Sequence, residues 1–284
     1  MRIVRPQLGS GRPSPVFDHD LLLRKLFPAA RAAIGLGSFQ LAVTGLEHVP
    51  RSGRVVYAQN HAGWFPFDAF FMMYALHEAF GPERLPFFAT HQAALGAPLL
   101  GRVMRRSGAL PASWFRRPER LPPEVDSLGL FPEGERGNTK PFWEAYRMRP
   151  WNRGFVRAAI ARRAPIVPAA ILGGEECVPV AWTVKFLEPR IGAILGLPLS
   201  LIPLPSAWEI AFHPPVALAH GRAALADAEH HTAVARSVQA TVQRTLDRRG
   251  GGRPLARLSS LVEAVAAPRH DAAPAAPVED PLER

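Results

Sequence analysis

Between about residue 41 and residue 215 the chain alternates short apolar runs with helical stretches, and this alternation limits its folds more than any other feature. Val55-Val56-Tyr57-Ala58, Leu85-Pro86-Phe87-Phe88, Leu128-Gly129-Leu130-Phe131, Ile166 to Leu172 and Trp208 to Phe212 have the length and apolar content of strands, whereas Asp68 to Phe80 and Phe155 to Arg163 have helical length. Strands that alternate with helices predict an α/β fold whose sheet is covered on both faces. In such folds the reactive groups gather at strand ends.

Length and composition set the outer limits. A chain of 284 residues with 48% hydrophobic and 20% charged residues has ample material for one catalytic domain with tails. The formal charge of +10 implies an anionic partner, which charge alone leaves open among lipid headgroups, phosphorylated substrates and nucleic acid. Arg is scattered along the chain rather than clustered with aromatics, so nucleic acid is not expected as a partner. Nearly all basic residues are Arg, with Lys only at 25, 140 and 185, so part of the charge reflects composition. Cys177 is the only cysteine, which excludes an intrachain disulfide and fits a reducing compartment or the cytosolic face of a membrane. With no evident base partner it is expected to be a small buried hydrophobe. The first residues lack the apolar core of a secretory signal, and export is not expected.

The chain divides into a flexible leader (1–16), an amphipathic segment (17–43), the catalytic domain (44–249) and a Gly-, Ala- and Pro-rich tail (250–284) expected to be mostly disordered. In the second segment Arg24, Lys25, Pro28 and Arg31 interrupt the apolar residues, so a membrane-spanning helix is not expected. A helix lying on an anionic bilayer surface and a core-packed helix both fit the pattern. The apolar, proline-broken run 191–205 predicts either a buried loop or a second membrane contact.

Two segments carry candidate chemistry. Asn60-His61-Ala-Gly-Trp-Phe-Pro-Phe-Asp68 puts a His just after a strand and an Asp at the start of a helix. A carboxylate that fixes one tautomer of an imidazole leaves its other nitrogen free to take a proton, so His61 is a candidate general base. Asp68 could equally be a helix cap. Phe131-Pro132-Glu133-Gly134-Glu135-Arg136 ends the third of the apolar runs above and sets a guanidinium at a strand end, where its donor fork suits a phosphate; an ordinary turn with a surface ion pair is the alternative. His230 and His231 are adjacent, so they point to different faces, and no metal is expected. No Gly-x-Ser-x-Gly elbow occurs, which argues against a lipase of the α/β-hydrolase kind.

In this order and separation the two segments, followed by Ala164-Pro165-Ile166-Val167-Pro168, resemble the glycerolipid acyltransferase family that includes lysophosphatidic acid acyltransferases. The resemblance implies a mixed sheet flanked by helices, His61 as base and Asp68 as its partner. It also implies an acceptor-binding set of Glu133, Gly134 and Arg136, joined more loosely by Arg105 and Arg106 of Arg105-Arg-Ser-Gly-Ala-Leu-Pro111, with Pro168 from the last motif. The implied reaction moves a fatty acyl group from acyl-CoA or acyl carrier protein to the hydroxyl of a lysophospholipid such as 1-acylglycerol-3-phosphate. It would serve phospholipid biosynthesis at an anionic membrane surface, peripheral or monotopic on the cytoplasmic face, with no cofactor. One departure stands out: six residues, not four, separate His61 from Asp68, with Gly63 and Pro66 between them. Gly174-Glu175-Glu176 and Pro203-Leu204-Pro205 are similar to a diacylglycerol-acyltransferase-type branch, which leaves a neutral acceptor open. A non-enzymatic, basic peripheral membrane protein is the competing reading.

Overall fold

The structure, a computed structural model, describes residues 17–186, 194–258 and 261. Its core is a seven-stranded sheet of β1 (Phe39–Thr44), β2 (Val55–Gln59), β3 (Phe87–Thr90), β4 (Ala109–Pro111), β5 (Ser127–Leu130), β6 (Ile166–Leu172) and β9 (Ser206–Phe212), in the order β1-β9-β6-β2-β5-β3-β4. All neighbours are parallel except β6 and β9, so the sheet is mixed, with β1 and β9 running against the other five strands. A separate ribbon pairs β7 (Val180–Val184) with β8 (Leu195–Pro198).

The two-residue period of a strand explains the layers. Val55 and Tyr57 of β2 enter one core cluster with α1 and α2 (defined below), while Val56 and Ala58 enter a second with α3 and α4. Every residue of β2 and β6 is buried, as a strand covered on both faces requires. Helix α1 comprises His19–Leu21, a π-helical stretch Leu22–Leu26 and Phe27–Gly35; α2 spans Phe67–Phe80. On the opposite face lie α3 (Gly154–Arg162) and α4 (Ala228–Gly250).

Several expected boundaries move. The segment 17–43 is not one helix: Gly37, at φ +77°, turns the chain, and Phe39, Leu41 and Val43 then point inward from β1 while the residues between them face out. That strand pairs with β9, so the sheet begins before residue 44. Within α1, Leu22, Phe27 and Ala30 are buried, and the Phe27 ring stacks on His77 at 4.8 Å and meets Tyr74 edge-on at 5.7 Å. One face of the helix is therefore packed on α2. The leader 1–16 lies outside the described residues.

In the run 191–205, Leu199, Leu201 and Ile202 are exposed, so it is not a buried loop where it is described. Residues 251–258 are ordered against the domain: Leu255 and Ala256 pack on a third apolar cluster, and Arg253 donates to Glu176 and to the Ala207 carbonyl. The expectation of a disordered tail thus does not hold for 251–258, and its remainder, 259, 260 and 262–284, lies outside the described residues. No helix among the described residues is long and apolar enough to cross a membrane.

Asn60 continues the β2–β6 pairing with its side chain, donating to the Ile171 carbonyl and accepting from the Ile171 amide, both at 2.8 Å and fully buried. Asn60→Ala orphans both main-chain groups, and leaving a buried polar group unsatisfied costs about 1–3 kcal/mol. The expected outcome is a loss of at least that size in urea unfolding, with the m-value unchanged.

Candidate active site

The strand β2 ends at Gln59, and the buried Asn60 pins the chain as it leaves the sheet. His61 comes next, 15% exposed at its side chain, with Nδ1 2.5 Å from Oδ2 of Asp68. Asp68 is fully buried in the first turn of α2, where a helix N-terminus favours negative charge. Its Oδ2 also accepts from the Ala62 amide at 3.0 Å, and Oδ1 accepts from the Ala69 amide at 2.7 Å. A carboxylate oriented by main-chain donors accepts, so Nδ1 donates and Nε2 keeps a lone pair.

The six-residue spacing is accommodated by a bulged loop. Gly63 adopts φ +82°, and a Cβ there would lie 2.3 Å from the Gly174 carbonyl oxygen, so glycine is required twice over. A Cβ on Gly174 would in turn lie 2.3 Å from the Ala62 carbonyl oxygen. The Gly174-Glu175-Glu176 segment is thus the floor under the His61 loop.

Glu133 secures the loop from the other side. It is buried, accepting from the His61 amide at 3.0 Å on Oε1 and from the Arg149 amide at 2.7 Å on Oε2. Its place is behind the site, holding main chain. Gly134, at φ +62°, turns the chain into the short helix Glu135–Asn138 and lines the cavity. Gly137 lets that helix close on the loop, because a Cβ there would fall 2.8 Å from Glu133 Cβ and 2.9 Å from His61 Cβ. Phe131 stacks on the imidazole at 4.1 Å with a 19° tilt, and Phe88 backs it at 5.6 Å.

A buried ion pair supports this arrangement. Lys140 Nζ lies 2.9 Å from Oε1 of Glu175, with side-chain exposures of 1% and 5%, and donates to the Arg147 carbonyl at 3.0 Å. Burial is the largest influence on the Lys140 ammonium and works against its charge, but Glu175 and Glu133 outweigh it and raise its pKa above the usual lysine value. Glu175 Oε1 also accepts from the amide of Tyr146, a non-glycine residue at φ +64°.

His61, Phe131 and Gly134 open on a cavity of about 870 Å³ with walls that include Leu26, Phe70, Met73 and Met104. Its size and largely apolar lining suit a lipid-sized ligand with a few polar contacts. Four of the other expected site residues lie elsewhere. Arg105 donates to the Leu95 carbonyl at 2.5 Å, and Arg106 pairs with Asp18, the residue that caps α1. Both hold helices together. Pro168 is buried inside β6, opposite Ala58 of β2, and its carbonyl accepts from the His213 amide at 2.9 Å; its role is in the sheet. Arg136 is exposed and off the cavity wall, which takes Glu135 and Asn138 from the same short helix. Two arginines that the motifs do not mark, Arg116 and Arg157, do line the cavity. Cys177 is buried, and burial pushes its thiol up to about 11, so it stays protonated and unreactive.

Residues 40–172 match the family model described as Acyltransferase. Uncharacterised proteins of Mycobacterium tuberculosis are 34% identical over 226 residues, covering 76% of this chain and 63% of theirs. A 1-acyl-sn-glycerol-3-phosphate acyltransferase of Limnanthes alba is 30% identical over 174 residues, 55% of this chain and 56% of its own. The chain therefore spans less than two thirds of the length of these relatives. The crystal structure of the 1-acyl-sn-glycerophosphate acyltransferase PlsC from Thermotoga maritima shares the fold, with a TM-score of 0.53 and 16% identity over 81% of this chain and 80% of that one.

Proposed function

The chain belongs to the glycerolipid acyltransferase family, and on that premise we propose that it transfers a fatty acyl group from a thioester donor to the hydroxyl of a lysophospholipid-type acceptor. The observation that carries the reading is the His61–Asp68 pair set in the wall of an apolar cavity large enough for acyl chains. Nε2 of His61 takes the acceptor hydroxyl proton while that oxygen attacks the thioester carbonyl, and Asp68 stabilises the imidazolium that forms. The tetrahedral intermediate then collapses, the C–S bond breaks, and the leaving thiolate receives the proton from His61. No covalent enzyme intermediate is required, and orientation in the cavity supplies a large share of the acceleration.

The donor in this reading is acyl-CoA or an acyl carrier protein, and the product feeds phospholipid synthesis. Helix α1 exposes Arg24 and Lys25, which suits an anionic bilayer surface on the cytoplasmic side and would bring the cavity to its lipid substrates. Thiol release from acyl-CoA, followed with a disulfide reagent, tests the reaction class. Release is expected to require an acceptor and to match product one to one; release at the same rate without acceptor would make the protein a thioesterase instead.

A further inference from the structure

Resting on the reading just proposed, in which the substrates are lipids, we infer that the β7–β8 ribbon and the loop 199–204 form an apolar edge that inserts into the surface of a bilayer beside the cavity. The register pairs Trp182 with Leu197, Thr183 with Gly196 and Val184 with Leu195. Paired residues of an antiparallel ribbon share a face and neighbours along a strand alternate, so the ribbon has two unlike sides. Thr183 and Gly196 make the inner side: the Thr183 hydroxyl donates to the Thr139 carbonyl at 2.6 Å, and a Cβ on Gly196 would lie 2.7 Å from Cδ1 of Trp64. Trp182, Val184, Leu195 and Leu197 make the outer side, with Trp182, Leu195 and Leu197 exposed. A glycine on the inner side lets the ribbon lie close on the domain while these bulky residues face away.

The loop that follows continues the outer side. Leu201 and Ile202 are 79% and 76% exposed, and Leu199 is exposed beside them. The loop is nonetheless anchored: the Leu199 amide donates to the Pro179 carbonyl and the Leu204 amide to the Cys177 carbonyl, both at 2.8 Å. At its tip the Ser200 hydroxyl donates to the Ile202 carbonyl at 2.8 Å and accepts from the Ile202 amide at 3.1 Å. Main-chain and hydroxyl groups satisfied within the protein lower the cost of taking the loop out of water. Soluble surfaces rarely gather so many large apolar side chains, and a patch of this kind marks a protein or membrane contact.

Composition and position favour lipid over a protein partner. Among the described residues 178–186 and 194–205 the single charged side chain is Lys185, exposed just after β7. No carboxylate in this stretch opposes an anionic headgroup, and a protein interface would need a polar rim that the stretch lacks. Trp182 meets Trp143 at 6.0 Å, and tryptophans next to a lysine are the composition that settles at the boundary between headgroups and acyl chains. The open edges of a two-stranded ribbon keep it in that interfacial layer, where water still reaches main-chain groups. Position agrees: Trp64, under Gly196, lines the cavity with Phe65 and Phe67. Beyond the other end of the loop the Ser206 amide donates to the Ser38 carbonyl at 3.2 Å, two residues after the exposed Leu36 that ends α1. The apolar edge therefore borders the walls that Trp64 and α1 give the cavity, and an acceptor passing from bilayer to cavity keeps its acyl chain out of water.

Flotation with vesicles of phosphatidylcholine and phosphatidylglycerol reads the contact without turnover. The double variant Leu201→Glu/Ile202→Glu is expected to partition at least about tenfold more weakly than wild type, because each large apolar side chain removed from water is worth roughly a factor of ten. Wild-type binding should persist in part at high salt, whereas binding through basic residues alone would be screened away and would count against the assignment. Location is read with Leu201→Cys carrying an NBD fluorophore, Cys177 being buried and spared. Its emission should shift to the blue on adding vesicles and be quenched by nitroxides placed high on the acyl chain. Vesicle binding with no shift at this position, or equal partitioning of the double variant and wild type, would overturn the assignment. So would light scattering that finds a wild-type dimer split into monomers by Leu201→Glu/Ile202→Glu, since the patch would then be the seat of a second copy. In acyl transfer the double variant should lose at least about tenfold on an acceptor embedded in vesicles and less than about twofold on a short-chain acceptor dissolved below its micelle concentration. Equal losses on the two acceptors would tie the loop to the cavity instead of the bilayer and would also overturn it. Absence of turnover in every protein would defeat the catalytic reading alone, because flotation and the fluorophore decide the membrane contact without it.

Discussion

His61→Ala is expected to lower kcat for acyl transfer by about 10²–10⁴-fold, the usual contribution of a positioned general base, while the KM for acceptor changes little. The imidazole is held by Asp68 on one edge and by Phe131 on one face, so its free Nε2 points to the cavity and little else in the fold depends on it. Asp68→Asn should fall in the same range, because an amide accepts or donates at Nδ1 without fixing the reactive tautomer. The double variant His61→Ala/Asp68→Asn should be no worse than His61→Ala, since the pair acts as one unit. Multiplying losses in the double variant would mean that Asp68 serves another step.

Glu175→Ala should destabilise the protein by about 3–5 kcal/mol, the range for removing one partner of a buried ion pair. The loss has two parts: the Lys140 ammonium, 1% exposed, loses its nearest carboxylate, and the Tyr146 amide loses its acceptor. Glu133 remains as a second counter-charge for Lys140, which places the expected value toward the lower end. Glu175→Gln keeps an acceptor for Tyr146 and should cost less. Urea unfolding of the three proteins checks this, and a Glu175→Ala variant within 1 kcal/mol of wild type would show that the pair contributes only what a surface pair does.

Much of the framework was legible from sequence because it obeys local rules. β2 and β6 declare themselves as unbroken apolar runs, α2 begins close to the expected Asp68, and α3 covers the run after Phe155. His61 and Asp68 were readable as a pair; that they touch was not, because the answer lies in how tightly Gly63 meets Gly174, more than a hundred residues away. The same limit explains Arg105, Arg106 and Pro168: a motif gives residue types in order, but not whether a guanidinium reaches a ligand or a neighbouring carbonyl.

Glu133 illustrates a different limit. Its carboxylate reads as a ligand group, yet burial between two main-chain amides makes it a brace for the His61 loop. The Lys140–Glu175 pair did leave a trace in the sequence, since Lys140 is one of three lysines in a chain that otherwise uses arginine. A compact ammonium fits a buried site that a guanidinium would overfill. The first residues of α1 misled in extent: an apolar pattern with interspersed cations suits a bilayer surface and a protein face alike, and only the contacts of Phe27 with Tyr74 and His77 show which side is packed.

The most direct test of the central claim is mass spectrometry of lipids after purified protein is incubated with acyl-CoA and a lysophospholipid in mixed micelles. The account predicts a new diacyl lipid that appears with wild type, grows in step with free CoA, and is absent at equal protein with His61→Ala. Equal product from both proteins, or none from a folded wild type across phosphorylated and neutral acceptors, would contradict it.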